Sequence, residues 1–558
     1  MNLNAFRQEL ATPRTTIQLC LLGIVGGLSA ASLIILFRLN IEWLQLQFLP
    51  GINQFDALKP AERLMLPFIA AVAIVIIAYV SGFKHYRMGI PFVIHRVKQH
   101  FGHIPFLTTI NQFLGGSLAL AAGFSVGREG PSVHLGAAGS SFLGQWLKLP
   151  HNSIRILAGC GIAAGISASF NTPFAAVIFV MEVVLREYKI HIFIPVMLAA
   201  ACGSALTRIV FGEAQELSFI RFHDFSQWIY LYLILFGVLL GGLATLFNNS
   251  LMMVMRGFER FNMVRRLLIA GAVTGIVGFI LPDALGAHFH SVHTLIQQDN
   301  IQLLLAVLCA KFFLTIVALG LGVPGGIMGP VFVIGMLSGA LLATPLGVVI
   351  NDPGELSGSF SLLGMAGLMA AVVHAPLAAL SAVMELSYSP QIILPAILVI
   401  VPAYVTSTQF LGNRSVFIRQ LDYQKLPYAI SPVIEALQKT GVLAVMDREF
   451  KLFTDVKDRH LLQFLQTSPT HSVVHRSSHE TGVQYSLVQY DISLGHDASP
   501  LEFFNMEGVS SQATLAEVYA LLHTSRDGAV YVYVGDTSNI QGVVAWNTLR
   551  SYLHKERY

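Results

Sequence analysis

The run Gly127-Arg128-Glu129-Gly130-Pro131 sets an arginine beside a glutamate in an otherwise apolar stretch. Charge at membrane depth is expensive, and residues that carry it there are by default functional. Glycine on either side lets the backbone turn and approach an ion closely. Pro131 suits the first turn of a helix. The free N–H groups of that turn face the loop and can hold an anion. An internal ion pair locking two helices would use the same residue types, so the run by itself leaves both readings open.

The elements that must position this run belong to a membrane. The chain has 558 residues, 54% hydrophobic and 12% charged, against about 25% charged in soluble proteins. Its mean hydropathy is +0.64. That composition excludes a soluble enzyme and a disordered chain. The balance of 34 Lys+Arg against 31 Asp+Glu lacks the basic excess that a nucleic-acid partner needs. A polytopic protein embedded in a lipid bilayer remains.

The first apolar run, Thr16 to Phe37, is longer than a signal-peptide core and lacks a small-residue cleavage pattern, so it reads as a retained span. Arg7 and Arg14 before it place the N-terminus in the cytoplasm by the positive-inside rule. An even number of spans would put the C-terminus there too, in a multi-pass protein of the cell (inner) membrane. Further spans are expected at Leu64–Gly82, His191–Phe211, Trp228–Phe247, Leu267–Leu281 and Ile301–Gly320. Other segments are short and broken by Gly and Pro, among them Ile104–Phe124, Ile154–Phe170 and Pro173–Leu185, then Pro324–Leu342, Leu363–Val373, Pro376–Leu386 and Ile392–Phe410. Broken backbone survives at membrane depth only where protein buries it or where it lines a cavity. Cys20, Cys160, Cys202 and Cys309 all lie in apolar runs with no metal or disulfide spacing, and are expected to be small buried hydrophobes. No metal site is expected.

The broken segments come in pairs. Asn171-Thr172-Pro173 leads to Glu182 as His374-Ala375-Pro376 leads to Glu385, each glutamate nine residues after its proline. Gly130-Pro131 with Gly136 matches Gly329-Pro330 with Gly335. Two motifs repeated in the same order at nearly equal offsets argue for an internal duplication, and paired broken segments point to a transport site. Glu182 and Glu385 read as helix-packing residues, and Lys311 and Arg208 as structural or interfacial ones.

Near Leu421 the composition turns polar. The chain divides into a membrane domain, 1–421, and a tail, 422–558. In the tail, Thr514–Leu522 reads as an amphipathic helix and Gly528–Val534 as a buried strand. A second strand is expected at Gly542–Ala545 and a helix at Asn547–His554.

GREGP, with MGIP at Met88–Pro91 and GGIMGP at Gly325–Pro330, resembles the ClC family of chloride channels and chloride/proton exchangers. The likeness covers the membrane region in order, through FNTPFAAVIFVME, GVPGGIMGP, HAPLAALSAVMEL and SVFIRQL. It implies an all-α membrane fold of two inverted repeats of tilted, broken helices, and a homodimer with one anion pathway per subunit. The amides around Met88, Gly89, Ile90 and Pro91, around Arg128 and Gly130, and around Gly326, Ile327 and Met328 would cradle chloride or another small anion. Glu129 matches the gating glutamate, whose carboxylate competes with chloride for those amides.

The chain departs from the family at several places. Arg87 and Met88 stand where most members have Gly-Ser, Met328 stands for a Phe, and Phe417 stands for the central Tyr. Both hydroxyls that usually meet the central anion are missing. Val183 replaces the inner proton-transfer glutamate. These departures favour a passive or weakly proton-coupled chloride channel gated by Glu129. A proton-coupled chloride or fluoride antiporter and a non-conducting nucleotide sensor are the alternatives. Met88 also occurs in the fluoride-exporting branch, although that branch keeps the central Tyr. The tail resembles paired CBS domains, a cytoplasmic α/β module that either stabilises a dimer without ligand or binds an adenine nucleotide. No cofactor is required for transport.

Overall fold

The computed structural model describes residues 3–83, 88–212, 228–286, 300–350, 353–429, 431–468, 471–479, 482–490 and 500–555, with positions 217, 220, 222, 225, 292, 294 and 295. Arg87 lies outside them. The chain divides into two compact units.

The membrane unit takes in Cys20–Leu143 and Ile156–Tyr428. Among the described residues of the chain, ten helices are long and apolar enough to cross a bilayer, and Pro173–Leu185 and Pro376–Ser387 are shorter apolar helices. The first helix runs Ile17–Leu46, beyond the apolar stretch that suggested it. Arg38 and Glu42 pair at 2.9 Å one turn apart, and the Arg38 guanidinium lies 3.9 Å from the centre of the Phe211 ring, so charge does not end the helix there. Of the four cysteines only Cys160 is buried, and Cys309 is exposed. A helix face turned toward lipid accepts a small apolar thiol, so an apolar run does not imply burial in protein.

The duplication is visible as repeated contacts. The helix Glu129–Trp146 crosses His151–Phe170 with Gly136 against the backbone of Gly161. The helix Met328–Ile350 crosses Pro353–Met369 with Gly335 against the backbone of Gly364. Any side chain at these glycines would strike the facing backbone. Asn171 and His374, the residues before the paired Thr-Pro and Ala-Pro, both adopt left-handed backbone, with φ of 56° and 61°. They break the chain at matching points, and Pro173 and Pro376 each open the next helix.

Glu182 sits at the far end of the Pro173 helix, in the wide turn Val180–Leu185, yet it accepts hydrogen bonds from the amides of Leu377 (3.2 Å) and Ala378 (2.7 Å). Those amides belong to the first turn of the Pro376 helix, so the two helices run antiparallel. A two-fold relation between antiparallel spans has its axis in the membrane plane, which makes the halves inverted.

The second unit comprises Met1–Leu19, Gly144–Arg155 and Ala429–Tyr558. It holds two sheets. The first has the order β1 (Lys451–Thr454), β2 (Val473–His479), β3 (Gly482–Tyr490), β4 (Leu501–Asn505), with β1 parallel to β2 and the rest antiparallel. The second has β5 (Glu507–Ser510), β6 (Ala529–Tyr533) and β7 (Ile540–Ala545), with β5 parallel and β7 antiparallel to β6. A helix bridges each parallel pair, Asp458–Thr467 in one and Leu515–Leu522 in the other. The tail is thus two strand–helix–strand–strand motifs in succession. Gly441–Met446 forms a tight turn at Val442–Ala444 before β1, and Val442 packs with Leu437, Val518 and Val530. The last helix, Trp546–Lys555, follows β7. Within this unit Gly441 N–H donates to Ala11 O (2.9 Å) and His151 N–H to Gln512 O (2.8 Å).

Candidate anion site

Four helices of the membrane unit begin at the loops singled out by sequence. Gly89, with φ of 79°, precedes Ile90–Gln99, and Pro91 fills its first turn. Glu129–Trp146 starts inside GREGP and Met328–Ile350 inside GGIMGP. Val416–Tyr423 follows Ser415, whose side chain does not cap it. Each start leaves backbone N–H groups without intrahelical partners and carries the positive end of the helix dipole.

These starts meet around one cavity of about 410 Å³. Its wall contains Met88, Gly89, Ile90, Pro91, Gly130, Gly326, Ile327 and Phe417. The cavity also takes in Glu259, Arg266 and Lys425. Sequence reasoning missed Gln112, another residue of this wall. Its signal was a polar Asn-Gln pair inside the broken apolar stretch Ile104–Phe124.

The two glycine loops are stitched together. Gly127 N–H donates to Gly326 O (2.8 Å), and Gly326 N–H donates to Gly127 O (2.6 Å). Val126 and Val323, which lead into the loops, share one buried apolar core with Phe37, Phe124 and Leu321. Glu129 is 1% exposed. Its Oε1 accepts from the Gly329 amide, which lies 200 residues away in the other half, and its Oε2 is buried without a hydrogen-bond partner among the described residues. The carboxylate therefore holds an amide of the Met328 helix that an anion could otherwise use.

Not every predicted residue reaches the large cavity. Glu129 and Met328 line a second, mostly apolar cavity of about 40 Å³, with Phe170, Phe179 and Met369 in its wall. Gly130 faces one cavity and Glu129, its neighbour in sequence, the other. The Arg128 guanidinium lies over the Phe170 ring, 4.5 Å from its centre. Val183 is buried in the wide turn that follows the Pro173 helix and lines neither cavity. Lys311, wholly buried, donates to the carbonyls of Leu285 (3.0 Å) and Gly286, and Arg208 donates to Asn171 Oδ1 (3.0 Å), both structural bonds.

Inverted halves that aim helix N-termini at one cavity, with a carboxylate bound among their amides, define a membrane protein of anion transport. The family model described as Voltage gated chloride channel matches residues 69–408, and the chain belongs to that family. It is 31% identical over 317 residues to an H(+)/Cl(-) exchange transporter ClcA of Salmonella agona (strain SL483), covering 55% of this chain and 67% of that one. Its fold resembles a slow cyanobacterial Cl−/H+ antiporter, with a TM-score of 0.63 at 22% identity over 74% of this chain and 98% of that one. A eukaryotic CLC transporter aligns with a TM-score of 0.60 at 20% identity, over 95% of this chain and 97% of the other. A CLC-type fluoride/proton antiporter aligns with a TM-score of 0.58 at 24% identity, over 73% and 99%.

Proposed function

We propose that the chain carries chloride through the 410 Å³ cavity and past Glu129 in the 40 Å³ one, with Glu129 as the gate and without a fixed proton stoichiometry. The observation that carries this reading is the bond from the Gly329 amide to the Glu129 carboxylate. A carboxylate seated on such an amide is a tethered competitor for the anion, and protonation or displacement frees the amide. Amides and dipole ends attract an anion without a full positive charge that would trap it.

Two features support weak proton coupling. In the 40 Å³ cavity Glu129 is the only titratable side chain among the described lining residues, and the wall is otherwise built mainly of Phe, Met, Ile and Ala. Val183 is apolar, and its neighbour Glu182 is occupied by the amides of Leu377 and Ala378. The second reading is proton-coupled exchange of chloride or fluoride. It is supported by the relatives' names, an H(+)/Cl(-) exchange transporter and a CLC-type fluoride/proton antiporter, and by Met88 in the cavity wall.

Several further assignments belong to this reading. The protein works as a homodimer with one pathway per subunit, in a cell membrane, with both termini cytoplasmic. Its repeated strand–helix–strand–strand tail is a CBS-like pair, spanning roughly 422–558 after a transport domain of 1–421, and serves dimer stability or adenine-nucleotide sensing. Neither transport reading needs a cofactor.

Reconstituted liposomes test the choice. Chloride efflux is recorded together with external pH. Efflux without proton uptake supports the first reading, and a constant substantial proton-to-chloride ratio replaces it with the second. Absence of chloride and fluoride flux in folded protein would leave only a non-conducting sensor.

A further inference from the structure

Gln112 is fully shut off from solvent, at 0% exposure. Neither its Nε2 nor its Oε1 has a hydrogen-bond partner among the described residues. Leaving both halves of a buried amide unmade is costly, and native proteins rarely tolerate it without a ligand or water to complete the set. Gln112 is also one of the residues around the cavity that holds the starts of the Ile90 and Val416 helices and Gly130.

Its position is fixed by packing. Gln112 lies on the helix Phe106–Ala121, one turn before Gly116. A Cβ placed at Gly116 would stand 3.1 Å from Pro131 Cγ, so this face of the helix presses on the first turn of the Glu129 helix. The pathway lacks hydroxyls at Met88 and Phe417. An amide N–H is a neutral donor that binds a dehydrated anion and still releases it.

We infer that Gln112 is a specificity-determining residue of the anion pathway, its Nε2 donating to the anion beside Gly130 and Pro91. The inference rests on the chloride-pathway reading above. The Oε1 acceptor serves a water molecule.

The test is chloride flux against chloride concentration in liposomes, with nitrate as a second anion. Gln112→Met keeps the length of the side chain and removes both polar atoms. A lost hydrogen bond to a charged partner should raise the half-saturating chloride concentration about tenfold or more. The maximal rate should stay the same or rise, and the chloride-to-nitrate ratio should change. A merely structural residue would lower the maximal rate and leave affinity and selectivity alone, and that outcome overturns the inference. Should Gln112→Met fail to fold, Gln112→Glu keeps shape and polarity. It should weaken chloride binding measured by calorimetry at neutral pH, and unchanged binding overturns the inference. Unmodified protein that carries no anion at all refutes the pathway reading itself, whereas normal flux with unaltered Gln112 variants refutes this inference alone.

Discussion

Glu182 and Glu385 cap each other's helices. Glu182 binds the amides of Leu377 and Ala378 at 3.2 and 2.7 Å, and Glu385 binds those of Phe174 and Ala175 at 2.9 and 2.7 Å. Each carboxylate satisfies two N–H groups that a helix start leaves open, and each sits where the helix dipole favours a negative charge. The exchange is reciprocal, as a two-fold axis requires.

Removing one of these caps should therefore destabilise the membrane unit. Glu182→Ala and Glu385→Ala should each cost about 1–3 kcal/mol, the range for charge-assisted bonds at a helix N-terminus. Thermal unfolding in detergent should show similar losses for the two single variants and a nearly additive loss for the pair. An unchanged melting temperature in both would remove the capping role.

Glu129 should control the pH dependence of transport. Glu129→Gln imitates the protonated acid, and Glu129→Ala frees the Gly329 amide. Both should preserve or raise chloride flux and flatten its response to pH. Loss of flux in folded Glu129→Ala protein would make the residue a structural tie between the halves.

Met88 and Phe417 bring no hydroxyl to the cavity they line. Met88→Ser or Phe417→Tyr should tighten chloride binding by calorimetry about tenfold, the effect of one hydrogen bond to a charged group. Under the fluoride alternative, fluoride flux exceeds chloride flux and Met88→Ser erases the preference. Tight binding that neither substitution alters would mean that backbone amides, or Gln112, suffice.

The second unit should weaken in acid. Burial pushes the Glu517 carboxyl up, but the His151 hydrogen bond and charge, together with the Thr514 amide at 2.8 Å, outweigh it and hold the group below the ordinary carboxylate range. A depressed folded pKa contributes stability above the unfolded value, and that contribution is lost as pH falls through the folded one. The loss should begin below about pH 4.3. Protection of the Leu515–Leu522 amides, relative to their intrinsic exchange at each pH, should fall there in the native protein, and Glu517→Gln should remove that loss. The same acid response in the variant would assign it to another group.

The membrane class, the glycine loops, the charged Arg128-Glu129 run between them and the duplication were legible in the sequence because each rests on local residue types. An Arg-Glu pair flanked by Gly and Pro has few uses at membrane depth, and a repeated Pro-to-Glu spacing survives in linear order. The extent of the first helix was not legible, because its charged continuation is supported by Arg38 pairing with Glu42 and lying over Phe211.

Only the tertiary structure decided which of these residues share a wall. It joined Gly127 to Gly326, set Glu129 on the Gly329 amide, and placed Met328 and Glu129 in a smaller cavity than the one that holds Phe417 and Gly89. It also left the Gln112 side-chain amide without a hydrogen-bond partner among the described residues, at the edge of the larger cavity. Contacts across about 200 positions leave no periodicity or local spacing to read, because they come from the packing of inverted halves, which is settled by the surfaces of whole helices.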